Sequence, residues 1–539
     1  MLPTSRPSRR YIPITVEQFP ARGLYLIVDA VPRYAAIDIG SNSIRMEAAE
    51  VAAGQSTVLA SDREVTRLGE SVFRLGAVSE EAMKATCEVL ARMAVLYHKL
   101  EVVGVRAVAT SAIRDTRNKR EFLDRASEAA GTHVEIISGR EEARLIHLGV
   151  ESVWPQAGKR VIIVDIGGGS AEIIAAEDGH LRDAYSKPLG AVRLNEIFLH
   201  DDPPTPLQLH QMHEFIEDKL SSAFRRLGKL NWDRAIATSA TAAAVAGAVA
   251  RVPRSQRDEI DRRRIPTAQV RALYRKLAER NLAGRRKITG IGPKRAEIIV
   301  PGVAVLLSFL QEFRLPAVYY CRAGVRDGII ADLAARNVGA ELSRLSRDQR
   351  REVEDMGRRY GVSIEHARNV AHIASLLFSA LQPLHQLAPA NGKLLEAAAC
   401  LIDVGHYVSN SSHHKHSYYV VSNSDMPGFT ERERLLVAAL CRYHRKSLPS
   451  SMHGAYQMLT TDEKRVLLLL IPLLRIADNM VRAPEERIQS LESRVQNGTV
   501  TLVVHSAGDI DLQQWGAEQA GESFRQIYGR SISVLRARD

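Results

Sequence analysis

Two short segments of the chain combine an aspartate, a glycine-containing turn and a serine in the same order. Asp38-Ile-Gly-Ser-Asn-Ser43 recurs as Asp165-Ile-Gly-Gly-Gly-Ser170, at an offset of 127 residues (165 − 38). Glycine turns allow backbone N–H groups to converge on phosphate oxygens. An aspartate at the end of a strand can hold the divalent cation that accompanies phosphate. Both segments are therefore predicted to be phosphate-binding loops, although Asp-x-Gly is also common in ordinary hairpin turns.

The residues around the loops indicate how they are held. Each loop follows an apolar run, residues 35–37 or 161–164, and precedes another strand-like stretch. A Walker loop or a dinucleotide-binding loop would instead run from its glycines into a helix. The pattern therefore predicts two strand–turn–strand hairpins. Because the hairpins are duplicated, we expect two similar half-domains that face each other across a cleft.

Three further charged side chains are candidates for the same site. Glu172 follows the second loop by two residues, so it shares one face of its strand with Ser170. A carboxylate beside a phosphate can position or deprotonate a water, or it can hold a metal ion. Glu142 is in the first turn of a predicted helix, where a carboxylate can also simply favour the helix dipole. Arg114 follows a strand end and is a candidate to clamp a phosphate through two N–H groups.

The composition limits the class of protein and its partners. A chain of 539 residues with 45% hydrophobic and 25% charged residues is typical of a soluble protein of three or four domains. The net charge of +11 favours a polyanionic partner, but it does not separate polyphosphate or a charged nucleotide from nucleic acid. Four scattered cysteines without metal-type spacing predict buried thiols in a reducing cytoplasm. No apolar run is long enough to span a bilayer, so we expect no membrane association.

The predicted secondary structure differs between successive regions of the chain. Residues 1–33 are basic and irregular, do not have the pattern of a signal peptide, and are predicted to be a disordered extension. Strand-like and helix-like segments then alternate to about residue 335, which predicts an α/β region. Residues 340–485 have apolar residues at helical spacing, and beyond them two strand-like segments flank one helix. Residues 251–264 include six arginines, a pattern typical of a solvated loop.

The ordered motifs resemble those of the exopolyphosphatase/guanosine pentaphosphate phosphohydrolase family, within the actin–hexokinase–Hsp70-like superfamily. The resemblance covers nearly the whole chain from about residue 34, through segments 36–43, 107–114, 137–144, 165–170, 189–194, 413–418, 423–428 and 442–446. It implies a duplicated actin-like α/β core of two ribonuclease H-like domains, then an all-α HD-like domain and a small C-terminal α/β unit. The implied domain boundaries, after the extension, are 34–150, 151–337, 338–485 and 486–539.

The resemblance also implies roles for individual residues. Glu142 and Glu172 match the two family carboxylates assigned to water activation and to the metal–phosphate centre. Asp165 and Asp38 match the metal-linked aspartates, and Mg²⁺ or another divalent cation is the implied cofactor. The implied reaction is in-line attack of water on a terminal phosphoanhydride bond. The implied phosphate-binding residues are Gly40, Ser41, Asn42, Ser43, Arg114, Gly167, Gly168, Gly169 and Ser170.

Several functions remain compatible with these motifs. Inorganic polyphosphate is the preferred predicted substrate, and guanosine pentaphosphate is the alternative, because the same catalytic pair would serve both. A non-catalytic sensor of polyphosphate or of an alarmone is disfavoured, since simple anion binding has no need of the retained carboxylates. A sugar kinase or Hsp70-type ATPase shares only the superfamily fold. Specific nucleic-acid binding is not expected, because no aromatic–basic pattern is present. A homodimer is typical of the long family members.

The chain also departs from the family pattern. Ala240 replaces a glycine in the second domain, Asp327 is one methylene shorter than the usual glutamate, and Ala171 replaces a common threonine. In the HD-like region, Asn369 stands at the expected first histidine, and Ile402 replaces the histidine of the His-Asp pair.

The two replacements in the HD-like region predict loss of the usual metal site. They favour a degenerate HD domain used for packing, dimerisation or polyanion binding. The remaining histidines, His406, His413, His414 and His416, are more typical of hydrogen-bonded structural residues than of ligands.

Overall fold

The computed structural model describes residues 31–52, 54–337, 343–481, 488–496, 498–506 and 510–537. Within these ranges the chain forms two compact units, an N-terminal unit that ends at Asn337 and a C-terminal unit that starts at residue 343. Most of the predicted disordered extension, residues 1–30, lies outside the described residues. Arg33, which that prediction included, already begins the first strand. Among the described helices, none is long and apolar enough to cross a membrane.

The first lobe of the N-terminal unit is a five-stranded mixed sheet in the order β3-β2-β1-β4-β5. Its strands are β1 (Arg33–Ile39), β2 (Ile44–Ala52), β3 (Gln55–Glu64), β4 (Gly104–Ala109) and β5 (Val134–Ile136). The helices that follow its strands are α1 (Leu68–Leu75), α2 (Glu80–Lys99), α3 (Ser111–Asp115), α4 (Lys119–Ala130) and α5 (Gly139–Val153). The central strand β1 pairs antiparallel with β2 and parallel with β4. Burial on both faces of β1 explains the unbroken apolar run that precedes the first loop.

The second lobe repeats this arrangement in a six-stranded sheet with the order β10-β11-β9-β6-β7-β8. Its strands are β6 (Arg160–Ile166), β7 (Ala171–Glu177), β8 (His180–Lys187), β9 (Arg234–Thr238), β10 (Arg264–Pro266) and β11 (Ala317–Tyr320). Its helices are α6 (Ala191–Phe198), α7 (Pro206–Leu227), α8 (Ser239–Ala250), α9 (Thr267–Ala278), α10 (Leu282–Arg286), α11 (Pro293–Ala296), α12 (Ile299–Glu312) and α13 (Val325–Asn337), with a 3₁₀ helix at Arg254–Ile260. β6 pairs antiparallel with β7 and parallel with β9, as β1 does with β2 and β4. The duplicated α/β core is therefore confirmed.

Both predicted phosphate loops are hairpin turns, as the sequence indicated. The first connects β1 to β2 and the second connects β6 to β7. In each turn the N–H of the first glycine donates to the carbonyl of the closing serine, at 3.2 Å in the first loop and 3.0 Å in the second. Neither loop runs into a helix, so the Walker and dinucleotide types are excluded.

The boundary predicted at residues 150 and 151 does not follow the packing of the helices. Helix α5 comes before the second sheet in sequence, yet Ile146 and Val150 pack in one core with strands β6 and β7. Helix α13 comes after the second sheet, yet Ile329 and Ile330 pack against β1, β2 and β4 of the first lobe. The last helix of each half thus covers the sheet of the other half, because its apolar residues are buried there.

The C-terminal unit is mostly helical, with a small sheet in the order β12-β13-β14. Its helices are α14 (Arg347–Arg359), α15 (Ile364–Ala380), α16 (Gln382–His385), α17 (Ala390–Leu401), α18 (His413–Asn423), α19 (Glu431–Tyr443), α20 (Gly454–Gln457), α21 (Thr461–Met480) and α22 (Asp511–Tyr528), with a 3₁₀ helix at Val404–Tyr407. Its strands are β12 (Ile488–Gln496), β13 (Thr499–Ser506) and β14 (Ser531–Arg536). The sequence predicted β13 and β14 but missed β12, whose side chains are mostly exposed and polar.

The helices and the sheet of the C-terminal unit share one hydrophobic core. Val370 of α15 and Leu470 of α21 belong to the same buried cluster as Leu502 of β13, Phe524 of α22 and Val534 of β14. The predicted boundary at residues 485 and 486 lies outside the described residues. Because the core is continuous across it, the terminal strands are part of this unit rather than a separate domain.

Candidate functional site

A cleft of about 210 Å³ lies where the two duplicated hairpins meet. Asp38, Asp165 and Glu142 line it. The loop residues that line it are Gly40, Ser41, Asn42, Ser43, Gly167, Gly168, Gly169 and Ser170. Two predicted site residues, Arg114 and Glu172, do not line the cleft. The fold thus brings most of the predicted site residues to one cleft, and their roles there stay predictions.

The two phosphate loops are packed against each other, which explains two glycines of the second loop, Gly168 and Gly169. A Cβ atom at Gly169 would lie 2.5 Å from the hydroxyl of Ser41, and one at Gly168 would lie 3.1 Å from the amide nitrogen of Asn42. Both distances are too short for an ordinary side-chain contact. Glycine is therefore needed for the loops to approach closely enough to enclose one small anion.

The two hairpins carry opposite charges at one equivalent position. In the first hairpin Arg45 lies directly across the strands from Asp38, and in the second Glu172 lies across from Asp165. Arg45 and Glu172 are separated by the same 127 residues (172 − 45) as the loops. The offset was visible in the sequence, but the sequence analysis did not assign Arg45 to the site. The duplicated site is thus cationic on one side and acidic on the other.

The N-terminus of α5 holds Glu142 at the cleft. The helix begins after Ser138, whose hydroxyl accepts a hydrogen bond from the Glu141 N–H at 3.1 Å. Glu141 does not only favour the helix dipole, since it is buried in ion pairs with Arg106 of β4 (3.0 Å) and Arg144 (2.7 Å). These ion pairs tie the start of α5 to the first sheet and so fix the position of the neighbouring Glu142.

The carboxyl group of Glu142 is buried and bound by one cation. Arg114 Nη1 donates to Glu142 Oε2 and to the carbonyl of Ile137, each at 2.9 Å. Burial raises the pKa of Glu142 to about 7, and the charges of Asp38 and Asp165 also raise it, whereas Arg114 lowers it. A carboxyl with a pKa near neutral can accept a proton at physiological pH. Arg114, which was predicted to clamp phosphate, binds the candidate base through Nη1, and its contact with phosphate stays a prediction.

Glu172 is almost fully buried behind the second loop. The hydroxyl of Ser186 donates to its Oε1 at 2.8 Å, while Oε2 has no hydrogen-bond partner within the described part of the chain. Burial raises the pKa of Glu172 well above its ordinary value, and the charges of Glu142 and Asp165 raise it further. A buried carboxylate oxygen without a partner is costly, so Glu172 is poised for a proton, a cation or a water.

Asp38 and Asp165 occupy equivalent strand ends and supply only oxygen donors. Burial raises the pKa of both carboxyl groups, and Arg45 lowers both. Thr238 donates a hydrogen bond to Asp165 Oδ2. Within the described ranges, no three carboxylates of the cleft bring oxygen atoms within 4.8 Å of one another. The two aspartates would supply two carboxylate oxygens, and oxygens of phosphate and water would complete the coordination of the metal. Such a site fits Mg²⁺, which commonly binds through one or two carboxylates.

The strongest electrostatic feature of the cleft is a set of arginines from distant parts of the chain. The six that line it are Arg45, Arg63, Arg257, Arg295, Arg322 and Arg326. Burial lowers the pKa of Arg295 to about 9, and the charges of Arg45 and Arg63 lower it further. Such mutual repulsion is relieved when an anion binds. The sequence analysis missed this set, although Arg257 belongs to the arginine-rich segment that was interpreted as a solvated loop.

Arg193 connects the two sides of the cleft. Its Nε donates to the carbonyl of Gly169 at 2.7 Å, and its Nη2 donates to the hydroxyl of Ser111 at 3.2 Å and to Asp115. The guanidinium also stacks 4.0 Å from the centre of the Phe73 ring. Arg193 lies in one of the motifs that matched the family, but no role had been assigned to it.

The three departures from the family pattern that lie in the α/β core fall at or near this site. Ala240 lines the cleft, and Ala171 is fully buried at the start of β7. Asp327 also lines the cleft, and its Oδ2 accepts a hydrogen bond from the Gly324 N–H at 2.8 Å. The shorter side chain of Asp327 therefore closes the turn before α13.

Comparison with known proteins gives a consistent result over both units. Residues 48–337 match the model of the Ppx/GppA phosphatase family, and residues 349–512 match that of Ppx/GppA phosphatase, domain III. A guanosine-5'-triphosphate,3'-diphosphate pyrophosphatase of Photobacterium profundum is 26% identical over 439 residues, or 81% of this chain and 85% of that protein.

Solved structures match somewhat more than half of the chain. The Aquifex aeolicus member of the Ppx/GppA family is 28% identical, with a TM-score of 0.51, and covers 57% of this chain and 99% of its own. An exopolyphosphatase-like protein is 27% identical, with a TM-score of 0.54, and covers 57% of this chain and 98% of its own. The chain is therefore a member of the Ppx/GppA phosphatase family, whose enzymes hydrolyse phosphoanhydride bonds.

Proposed function

We propose that this phosphatase hydrolyses the terminal phosphoanhydride bond of inorganic polyphosphate and releases orthophosphate. The observation that carries the proposal is the position of Glu142, a carboxyl with a pKa near 7 in a cleft that two glycine loops and six arginines otherwise make strongly anion-binding. A carboxylate there opposes the binding of an anion, so its presence is better explained by proton transfer from an attacking water.

In this proposal the terminal phosphoryl group lies between the two loops. Their amides and Arg45 would stabilise the charge that spreads over its equatorial oxygens during in-line attack. Glu142, whose Oε2 is bound by Arg114, would accept the proton of the water. Asp38 and Asp165 would hold Mg²⁺, which when bound would neutralise charge on the phosphate oxygens.

The charge beyond the loops supports a long substrate. A second cavity of about 290 Å³ shares Asn42, Ala240 and three of the cleft arginines with the first, and adds Arg254 and Lys294. Positive charge thus continues outward from the loops. A polyphosphate chain, with one negative charge or more on every unit, would be attracted along this whole surface.

Guanosine pentaphosphate is the second candidate substrate. The observation that favours it is the relative from Photobacterium profundum, whose name assigns it to guanosine-5'-triphosphate,3'-diphosphate. It would use the same loops and carboxylates, with its terminal phosphate in the same position. The two proposals differ only in which part of the substrate occupies the second cavity, which Arg254 and Lys294 line.

The test is Mg²⁺-dependent phosphate release from long-chain polyphosphate, from guanosine pentaphosphate and from ATP, compared as kcat/KM. The first proposal predicts the highest value for long-chain polyphosphate, and higher values for longer chains. A higher kcat/KM for guanosine pentaphosphate would replace it with the second. Binding of polyphosphate without phosphate release from any of the three would contradict both and indicate a sensor.

Charge reversal of the outer surface tests the substrate path. Arg254→Glu is expected to raise KM for long-chain polyphosphate at low salt, and to raise it less for tripolyphosphate, which carries fewer charges. Arg264→Glu is the matched control, since Arg264 is exposed, lies in the same arginine-rich segment and does not line either cavity. An unchanged KM for the long chain in Arg254→Glu would exclude the proposed path.

We further propose that the protein is a homodimer, on the basis of its resemblance to the long family members alone. Light scattering after size-exclusion chromatography should then give twice the chain mass of 59.6 kDa. A mass equal to that of one chain at micromolar concentration would contradict this proposal.

A further inference from the structure

The C-terminal unit contains a cluster of ligand-type side chains that takes no part in the proposed reaction. Asp403, His406 and His413 each direct a donor atom to a common point, and these three atoms lie within 4.8 Å of one another. Across the described residues, no other group of three or more histidines, cysteines and acidic residues converges in this way. The sequence analysis interpreted these histidines as structural residues.

The distances within the cluster are equal to, or somewhat longer than, the edges of a coordination sphere. His406 Nε2 lies 3.4 Å from Asp403 Oδ1, and His413 Nε2 lies 4.0 Å from the same oxygen. The Nε2 atom of His444 lies 3.2 Å from that of His413. Ligand atoms about 2.0–2.1 Å from a tetrahedral Zn²⁺ lie about 3.3 Å from one another. One ion can therefore reach all of these donors with only small side-chain movements.

The hydrogen bonds behind the cluster orient two imidazole rings as metal ligands are usually oriented. His406 Nδ1 lies 2.8 Å from the Asn410 side-chain oxygen, and His444 Nδ1 lies 2.8 Å from the carbonyl of Cys441. Each oxygen accepts the Nδ1–H, so the Nε2 lone pair of each ring faces the cluster. Ligating histidines typically donate their second N–H to an oxygen in this manner.

An ion can reach the cluster from one side. A cavity of about 640 Å³ is lined by Asp403, His413 and His444, and the side chain of His406 is 42% exposed. Arg445 is the competing charge, since its Nη1 lies 3.2 Å from His413 Nδ1 and 3.4 Å from His413 Nε2, the proposed ligand atom. Arg445 is exposed, so its guanidinium can turn into solvent when a cation binds.

From this geometry we infer that Asp403, His406 and His413 bind a divalent transition-metal cation of the zinc type, with His444 beside the remaining position. Two imidazoles and one carboxylate favour such borderline cations over Mg²⁺, which prefers oxygen ligands alone. This site is independent of the proposed Mg²⁺ position in the N-terminal unit, because the two share no residue. It also differs from the HD-type ligand set, two of whose histidines are replaced here by Asn369 and Ile402, because it is built around the retained Asp403.

The ion would join three segments of the C-terminal unit. Asp403 precedes the 3₁₀ helix that contains His406, His413 begins α18, and His444 follows directly after α19. A ligand that binds only the folded state stabilises it in proportion to the logarithm of its concentration. Zn²⁺ should therefore raise the midpoint of thermal unfolding of the full chain.

The experiment is equilibrium dialysis of the full-length protein against Zn²⁺ in excess Mg²⁺, followed by elemental analysis. We expect one Zn²⁺ per chain in the wild type and in Asp165→Asn, whose substitution lies in the other unit. Affinity should fall by about 10- to 100-fold or more in Asp403→Asn and His413→Gln. His416→Gln is the matched control, since His416 lies on the same helix outside the cluster, and it should bind like the wild type.

Two further variants keep the test decisive. His406→Gln changes an exposed side chain, so it reports on the site even if substitution of the buried His413 prevents folding. Arg445→Gln should strengthen Zn²⁺ binding, because it removes the competing positive charge. No retained Zn²⁺ in the wild type, or equal affinity in wild type, Asp403→Asn and His406→Gln, would overturn the inference.

Discussion

The ion pair between Arg114 and Glu142 makes a specific prediction for the pH dependence of the enzyme. Arg114 Nη1 lies 2.9 Å from Glu142 Oε2, and its charge lowers the pKa of a carboxyl that burial raises to about 7. If Glu142 is the base, it must be ionised, so activity should fall as the pH drops through its pKa. Arg114→Gln removes the charge that favours ionisation and should therefore shift this fall in activity to higher pH.

The size of the shift follows from the geometry of the pair. Two unit charges about 4 Å apart interact by about 4 kcal/mol at an effective dielectric constant of about 20. This energy corresponds to about three pKa units. The Arg114 side chain is 20% exposed, and water that enters in its place will stabilise the carboxylate in part. We therefore expect a shift of at least about one unit, which reduces kcat/KM about tenfold on the acidic side of the profile.

The assay is kcat/KM for phosphate release from polyphosphate between about pH 5.5 and 9 at saturating Mg²⁺. The wild type should reach half of its maximal activity near pH 7, the pKa of Glu142. Arg114→Lys retains the positive charge and should move the midpoint less than Arg114→Gln. An active Arg114→Gln enzyme with the wild-type midpoint would refute the assignment of Glu142 as the titrating base.

Three further predictions concern stability and the shape of the loops. Burial raises the pKa of Glu142 in the folded state from 4.5 to about 7, so its ionisation increasingly destabilises the fold as the pH rises through this range. Glu142→Gln should therefore raise the free energy of unfolding by about 3 kcal/mol at pH 8 and by much less at pH 5. Equal changes at both pH values in urea titrations would contradict this prediction. Gly169→Ala places a Cβ 2.5 Å from the hydroxyl of Ser41 and 2.6 Å from that of Ser111. The kcat/KM of this variant should therefore fall sharply, while its circular dichroism spectrum is retained. Wild-type kinetics would show that activity does not require close contact between the two phosphate loops. Asp332→Asn removes a carboxylate that the buried Arg106 and Arg144 share, although both keep Glu141 as a partner. It should lower the free energy of unfolding by about 3 kcal/mol, whereas a loss below about 1 kcal/mol would mean that the network does not support the fold.

Local features of the site could be predicted from the sequence because they depend on short segments. The offset repeat at Asp38 and Asp165 predicted two hairpins, and the register of both hairpins confirms them. The helix predicted to carry Glu142 in its first turn is confirmed for the same reason, and it begins at Gly139 after the capping residue Ser138.

Features that depend on distant parts of the chain could not be predicted from local patterns. Arg63 and Arg295 are 232 residues apart (295 − 63), and only the closure of the cleft brings them together. The buried ion pair of Arg106 with Asp332 spans 226 residues. The packing of α5 on the second sheet and of α13 on the first sheet likewise depends on tertiary structure. An apolar helix face shows that a helix is buried, but not which sheet covers it.

The ion-pair partners of the charged side chains could not be predicted from the sequence. Arg114 follows a strand end, as a phosphate clamp could, and the structure adds an ion pair with Glu142. Glu141 is in the first turn of α5, where a carboxylate can simply favour the helix dipole, yet it is part of a buried ionic network. Each of these side chains has a role set by the nearest opposite charge, which a single sequence does not specify.

The most direct test of the account is the rate of phosphate release from long-chain polyphosphate by Glu142→Gln, with Glu151→Gln as the control on the same helix. Binding should be measured in parallel, for example by calorimetry. We predict that Glu142→Gln binds polyphosphate at least as tightly as the wild type, while its kcat falls by about 10²- to 10⁴-fold, and that Glu151→Gln turns over normally. Turnover at the wild-type rate by Glu142→Gln would contradict the central claim that this carboxylate activates the attacking water.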